Sequence, residues 1–341
     1  EEMRLIKTED AVGHVLCHDM TQIIKDQYKD ARFRKGHVVT EEDIPVLLSM
    51  GKEHLYVWEM TPGMVHENDA AERLLALCGQ ENMIRSGVKE GKIELKAACD
   101  GVFLVDSARL VAVNSQDEVM IATRKGGMAV REGDKLAGMR VIPLIIEEEK
   151  LRKAEQAAGD KPLLSLKPYV RKTACIVATG GEVKKGLIKD TFTPVVIDKL
   201  KTYGIETLEV VYSGDGVENV RDAVLAMREK KPDMILCTGG MSVDPDDNTP
   251  GGIKAAGANI IAYGAPVLPG AMFLLGYFDD GMPVMGLPGC VMYAGATVFD
   301  LVLPKIAADV PVTRADLAAL GEGGLCLGCK PCHYPICPFG K

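Results

Sequence analysis

Thr238-Gly-Gly-Met-Ser-Val-Asp-Pro-Asp-Asp-Asn-Thr249 follows the apolar run Met234–Cys237 and precedes Pro250. A short apolar run followed by paired glycines reads as a buried strand ending in a tight turn. The turn offers bare backbone N–H groups to an anion and carboxylates to a divalent cation within a few residues. Aspartate and glycine are also ordinary turn formers, so the loop gains meaning only from its neighbours.

The chain on either side repeats the pattern. Cys175-Ile-Val-Ala-Thr179 reads as a strand before Gly180-Gly181, and Leu208–Tyr212 as a strand before Gly214-Asp-Gly216. Ile260-Ile-Ala262 and Pro283–Leu287 are further strands, the latter running into Pro288-Gly289. Between them lie helical stretches over Pro194–Tyr203, from Val217 (Val217, Val220, Val224 and Met227 on one side) and over Ala294–Ala308. Strand–helix alternation predicts an α/β, three-layer domain with a mostly parallel sheet, whose ligands bind beyond the carboxyl ends of the strands. Four of those ends are marked by glycine. Glu182, Asp215 and Asp247 stand there, with Asp190 nearby and Lys184, Lys185 and Lys189 supplying positive charge. Backbone amides and lysines suit a phosphate or another oxyanion, and carboxylates suit Mg²⁺. There is no Walker A motif and no His-Glu-x-x-His helix, and Gly214-Asp-Gly-Val-Glu-Asn219 lacks the third glycine of a dinucleotide fingerprint.

The first part of the chain is less regular. Thr40 with Asp43 predicts the start of a helix that stops at Gly51, and a second helix spans about Asn68–Cys78 and closes at Gly79. Val102–Val105, Leu110–Val113 and Val119–Ala122 read as short strands. The expected domains are a mixed α/β module over 1–146 with a β-rich second half, a charged linker over 147–168, the α/β domain over 169–312 and a Cys-rich tail over 313–341.

Composition narrows the partners. The 341 residues carry a net charge of −8 with 47% hydrophobic content, enough for real cores, and no basic block offsets the charge to suit nucleic acid. No apolar run reaches the length of a membrane span, and Glu1-Glu-Met-Arg-Leu5 lacks the features of a secretory signal, so a cytoplasmic protein is expected. The ten cysteines then read as thiols or metal ligands. Cys326, Cys329, Cys332 and Cys337 form a C-x2-C-x2-C-x4-C-P run whose thiolates could surround zinc or an iron–sulfur cluster. It is one residue longer than the bacterial ferredoxin spacing, and a reduced tail without metal is the plainer alternative.

Thr179-Gly-Gly-Glu-Val183, Asp190-Thr191, Ser213-Gly-Asp215, Gly239–Asp247, Pro269-Gly270 and Gly286-Leu-Pro-Gly289 occur in an order that resembles the molybdenum-cofactor biosynthesis domain. Molybdopterin adenylyltransferases, molybdenum insertases and the competence-damage proteins share that domain. The Gly-Gly-x-Ser-Val form, and Arg34-Lys-Gly-His-Val-Val-Thr-Glu-Glu-Asp-Ile44 upstream, are most similar to the insertase (molybdopterin molybdenumtransferase) branch. The resemblance implies molybdopterin binding, with molybdate inserted into adenylylated molybdopterin as the reaction. Carried onto this chain, it makes Asp215 and Asp247 the Mg²⁺-linked acids and places Glu182 and Asp190 toward molybdate. Thr179, Gly180, Gly181, Gly239, Gly240 and Ser242 would cradle the pterin phosphate, and Pro269, Gly270, Pro288 and Gly289 would close the pocket. A homo-oligomer is usual for this fold.

Two segments depart from the family pattern. Pro269-Gly-Ala-Met272 replaces Pro-Gly-Lys-Pro, and Leu287-Pro-Gly-Cys-Val291 replaces Leu-Pro-Gly-Asn-Pro. An Asp-Gly-Tyr-Ala segment near the amino terminus is also missing. A non-catalytic carrier or sensor of molybdopterin that docks with a molybdoenzyme is therefore the alternative to the transferase. A nucleotide pyrophosphatase of the competence-damage type is a third reading.

Overall fold

The computed structural model describes residues 3–24, 28–59, 61–242 and 248–341, and the chain divides into two compact units. One comprises 1–99, 104–126 and 132–166, the other 100–103, 127–131 and 167–341. Among the described residues no helix is long and apolar enough to cross a membrane.

The second unit is an α/β domain. Its six-stranded sheet runs in the order Glu206–Ser213, Thr173–Thr179, Met234–Thr238, Pro283–Leu287, Leu274–Tyr277, Asn259–Tyr263. The first four strands pair in parallel and the last two join antiparallel. Leu274–Tyr277 has no counterpart in the sequence reading, because the continuous run Phe273-Leu-Leu carries no alternation to separate strand from helix.

Side-chain alternation along the central strands loads both faces. Ala174, Ile176 and Leu236 face one core with Val196, Leu200, Val298 and Phe299, contributed by helices Thr193–Thr202 and Val298–Ala307. Cys175, Val177, Ile235 and Cys237 face the other, with Val220, Val224 and Met227 of helix Val217–Arg228 and Ile253 of helix Thr249–Ala255. Burying each such aliphatic side chain contributes roughly 1.5–3 kcal/mol. The helix over Ala294–Ala308 starts later than expected, at Val298, because Thr297 and Asp300 form a capping box. Asp300 also receives Lys199 Nζ at 2.6 Å.

The chain after 312 folds onto this same unit instead of standing apart. Leu317 and Phe339 are buried in its core, and Cys326, Tyr334 and Cys337 pack against it. Leu268 and Leu325 form a bridge, with Cys326 N–H donating to the Leu268 carbonyl at 2.8 Å.

The first unit holds two larger antiparallel sheets beside the two-stranded pairs Met20–Ile24 with Tyr28–Phe33 and Met64–His66 with Ile145–Glu147. Strands Met3–Lys7, His54–Trp58 and Val15–Leu16 form one, over a core of Leu16, Leu47, Leu55 and Val57. Val119–Thr123, Lys135–Val141, Ile93–Ala97 and Met83–Arg85 form the other. The expected strand at Leu110–Val113 is instead part of helix Ser107–Asn114. Asp106 caps it by accepting from Arg109 N–H, a local bond that decides an apolar run too short to show its own period. The segment expected as a linker carries helix Glu148–Ala158, whose Glu148 and Glu155 both take Arg73 of helix Glu67–Cys78 at 2.7 Å.

Candidate functional site

Sheet register brings the glycine-marked ends together. Thr179 stands opposite Ser213, Ala178 opposite Thr238, and Thr238 opposite Leu287. Gly180-Gly181, Gly214-Asp215, Gly239-Gly240 and Pro288-Gly289 therefore leave the sheet along one edge. Leu274 pairs with Gly286, so the antiparallel strand begins at this edge too, and Pro269-Gly270 lies just ahead of it. The expected crevice residues of the four parallel strands thus share one rim.

Close backbone packing explains why glycines stand there. Gly239 has φ +80°, and a Cβ on it would sit 2.1 Å from the Thr179 carbonyl oxygen. Gly240 has φ +65°, and its Cβ would meet Thr249 Oγ1 at 2.4 Å. Thr249, fully buried, donates its hydroxyl to the Gly239 carbonyl at 2.7 Å and fixes the turn from below. The sequence reading missed Thr249; Thr-Pro at a helix start was the available signal. At Gly270 the intruding neighbour would be Val298. Gly289 differs: a Cβ there meets nothing within 4 Å, so it fronts open space.

The acids fall into distinct settings. Asp215 Oδ2 accepts from Gly181 N–H at 3.3 Å, joining two strand ends, and the Asp215 carbonyl accepts from Asn219 Nδ2 at 2.7 Å. Glu182 is exposed on the short helix Gly181–Lys184, and Lys184, Lys185 and Lys189 are exposed beside it. Asp190 is fully engaged: Phe192 and Thr193 N–H, Tyr212 O–H and the Thr193 hydroxyl all donate to it. Burial pushes its carboxyl up, but the donors from Thr193, Tyr212 and Phe192 outweigh that and hold it below the usual carboxylate range. With four donors its acceptor capacity is filled, which makes Asp190 an organiser of the helix start. Tyr212 and Thr193, the residues that hold it, were not singled out from the sequence. Asp247, with Val243–Asp246, lies outside the described residues; Ser242 just before them is exposed.

The buried Thr179 hydroxyl has no hydrogen-bond partner among the described residues. It is an unsatisfied buried polar atom at the end of its strand. Cys290, where the family pattern has asparagine, is a half-buried thiol whose pKa burial raises.

A cavity of about 740 Å³ opens at the opposite edge, among Arg171, Asp233 and Gly281 near the strand amino ends. Two of its cations are committed to structure, since Arg228 pairs with Asp280 and Arg171 with Asp309. It is not where the glycine turns converge.

The tail cysteines line one cavity of about 370 Å³ with Pro269, Tyr293 and His333. They are nevertheless not drawn together as ligands: among the described residues no group of three or more His, Cys, Asp or Glu is placed to hold a metal ion. The zinc or iron–sulfur expectation for Cys326, Cys329, Cys332 and Cys337 does not fit this arrangement. Packing of the segment through Phe339 and Tyr334, not thiol convergence, sets its path.

Residues 175–308 match a family described as a "probable molybdopterin binding domain", and residues 5–59 match a domain of unknown function. The chain thus carries a molybdopterin-binding domain of the molybdenum-cofactor biosynthesis family. It is also similar to CinA-like proteins of Mycobacterium tuberculosis (33% identical over 76 residues) and Petrotoga mobilis (32% over 76). Those matches take in 22% of this chain and cover only 18–19% of the relatives' own length. Among solved structures, the Mog protein of Mycobacterium ulcerans is 24% identical, covering 41% of this chain and 94% of that one with a TM-score of 0.33. The molybdopterin biosynthesis enzyme MoaB of a Thermus species is 16% identical, covering 42% and 97% with a TM-score of 0.36.

Proposed function

We propose that the glycine-turn edge binds molybdopterin and that the chain acts in molybdenum cofactor biosynthesis as a Mg²⁺-dependent transferase, placing molybdate into adenylylated molybdopterin. The register that aligns Thr179, Ser213, Thr238 and Leu287 carries this reading, because it sets four bare turns side by side around an unpartnered hydroxyl. Backbone amides of Gly180–Gly181 and Gly239–Gly240, with Thr179 and Ser242, would take the pterin phosphate. Asp215 and Asp247 would hold Mg²⁺, which neutralises phosphate charge when bound. Glu182, exposed beside three lysines, would face molybdate.

Ala271-Met272 and Cys290 favour a second reading, a carrier that binds molybdopterin without turnover and hands it to a molybdoenzyme. Neither methionine nor a thiol held protonated by burial supplies the charge that lysine would, or the neutral amide that asparagine would. Purified protein given adenylylated molybdopterin, Mg²⁺ and molybdate separates the two. The transferase reading expects AMP release that falls at least tenfold in Asp215→Asn and Asp247→Asn. Tight pterin binding without AMP release selects the carrier, and hydrolysis of ADP-ribose indifferent to pterin removes both.

A further inference from the structure

The first unit contains a buried acid that none of this chemistry uses. Glu67 opens helix Glu67–Cys78 and is 3% exposed. Two glycines back its carboxyl: a Cβ on Gly91 would lie 2.6 Å from Oε2, and one on Gly36 would lie 2.8 Å from Oε1. Both have positive φ, +71° and +90°. Their own N–H groups are spent elsewhere, on Asn68 Oδ1 and the Leu16 carbonyl. Among the described residues the carboxyl has one side-chain partner, Arg140 Nη2, stretched to 3.5 Å. His66 beside it is fixed, accepting from Asn68 N–H at Nδ1 and meeting the Gly36 carbonyl through Nε2 at 2.8 Å.

Glu67 lines a cavity of about 440 Å³ together with Arg34, Lys35, Arg140, Asp19, Glu90 and Trp58. The Trp58 indole N–H is buried and unpartnered among the described residues. A pocket floor holding one under-bonded carboxyl and an orphan donor, with Lys35 and Arg140 as cations and Asp19 and Glu90 as acids around it, is incomplete without a ligand.

We propose that this cavity is a binding site for a tetrahedral oxyanion, free or as the phosphate of a larger molecule. Arg140 and Lys35 supply charge and the Glu67 carboxyl supplies a hydrogen bond from its protonated form. Burial raises the Glu67 pKa; His66, Arg140 and Lys35 pull it down and Glu90 adds to the rise. A neutral carboxyl donates to an anion and an ionised one repels it, so affinity declines as pH rises through the Glu67 pKa.

Trp58 is the chain's single tryptophan and lines both this cavity and a neighbouring one with Glu59, Glu118 and Lys150. Its emission reports binding beside it, and the Lys35 and Arg140 variants assign that binding to this cavity. Full-length protein is titrated with molybdate and with sulfate, whose charges are constant between about pH 6.5 and 8.5, and with inorganic phosphate and AMP. The site predicts saturable changes in Trp58 emission that weaken as pH rises through the Glu67 pKa. Lys35→Gln, at an exposed position, weakens binding severalfold, and Arg140→Gln by about tenfold or more. Glu67→Gln, whose amide still donates, keeps binding and flattens its pH dependence. A response to AMP alone identifies the source as a phosphate ester; a response to the inorganic ions identifies a free oxyanion. Absence of a saturable response to all four, or an undiminished response in both Lys35→Gln and Arg140→Gln, overturns the proposal.

Discussion

Gly239 and Gly289 sit on the same edge yet make opposite demands. Gly239→Ala forces a Cβ against the Thr179 carbonyl at a positive φ, and neither backbone can yield. Roughly 2–4 kcal/mol of stability should be lost, read as a lowered denaturation midpoint. Gly289→Ala enters open space and should shift stability by less than about 0.5 kcal/mol. Asp190 makes a pH-dependent case. Its folded pKa is depressed, so its contribution is present above the unfolded value and is lost as pH falls through the folded one. Asp190→Asn should cost about 1–2 kcal/mol at neutral pH and flatten the stability profile in the acid range, below about pH 4. Thiol reactivity divides in the same physical way. Burial pushes the Cys78 and Cys237 thiols up to about 12, whereas Cys329 and Cys332 are exposed. A disulfide reagent at pH 8 should modify the exposed pair at once and reach Cys78 and Cys237 only on unfolding.

At the scale of elements, the carboxyl-terminal segment behaves as part of the second unit's core. Phe339 is 2% exposed against helix Val298–Ala307 and its neighbours, so Phe339→Ala should destabilise by about 3–5 kcal/mol in chemical denaturation. Removing residues 326–341 to test the thiols would take this anchor away, and cysteine-to-serine changes are the cleaner probe. The parallel strands were legible because each apolar run ends in a glycine-marked turn, and their continuous apolar character follows from being covered on both faces. Helix Val217–Arg228 was legible from Val220, Val224 and Met227, all buried, while Val217 at its start remains 37% exposed. What escaped was decided by partners distant in sequence or by capping. The strand Leu274–Tyr277 exists because it pairs with Pro283–Leu287, and the helix Ser107–Asn114 because Asp106 caps it. The role of Asp190 was hidden because Tyr212, one of its donors, lies on a separate strand. Nor could the sequence show that the four tail cysteines share a cavity without converging on a metal.

At the scale of the whole molecule, the chain joins a molybdopterin-binding domain to a first unit with a cavity of its own. The proposed molybdopterin site is the glycine-turn edge. Gly289→Leu probes it, since Gly289 is exposed on that edge and a Cβ there meets nothing within 4 Å. Equilibrium binding of molybdopterin to this variant should be weakened at least tenfold while its denaturation midpoint matches the parent protein. Undiminished affinity in a normally folded Gly289→Leu protein would contradict the assignment.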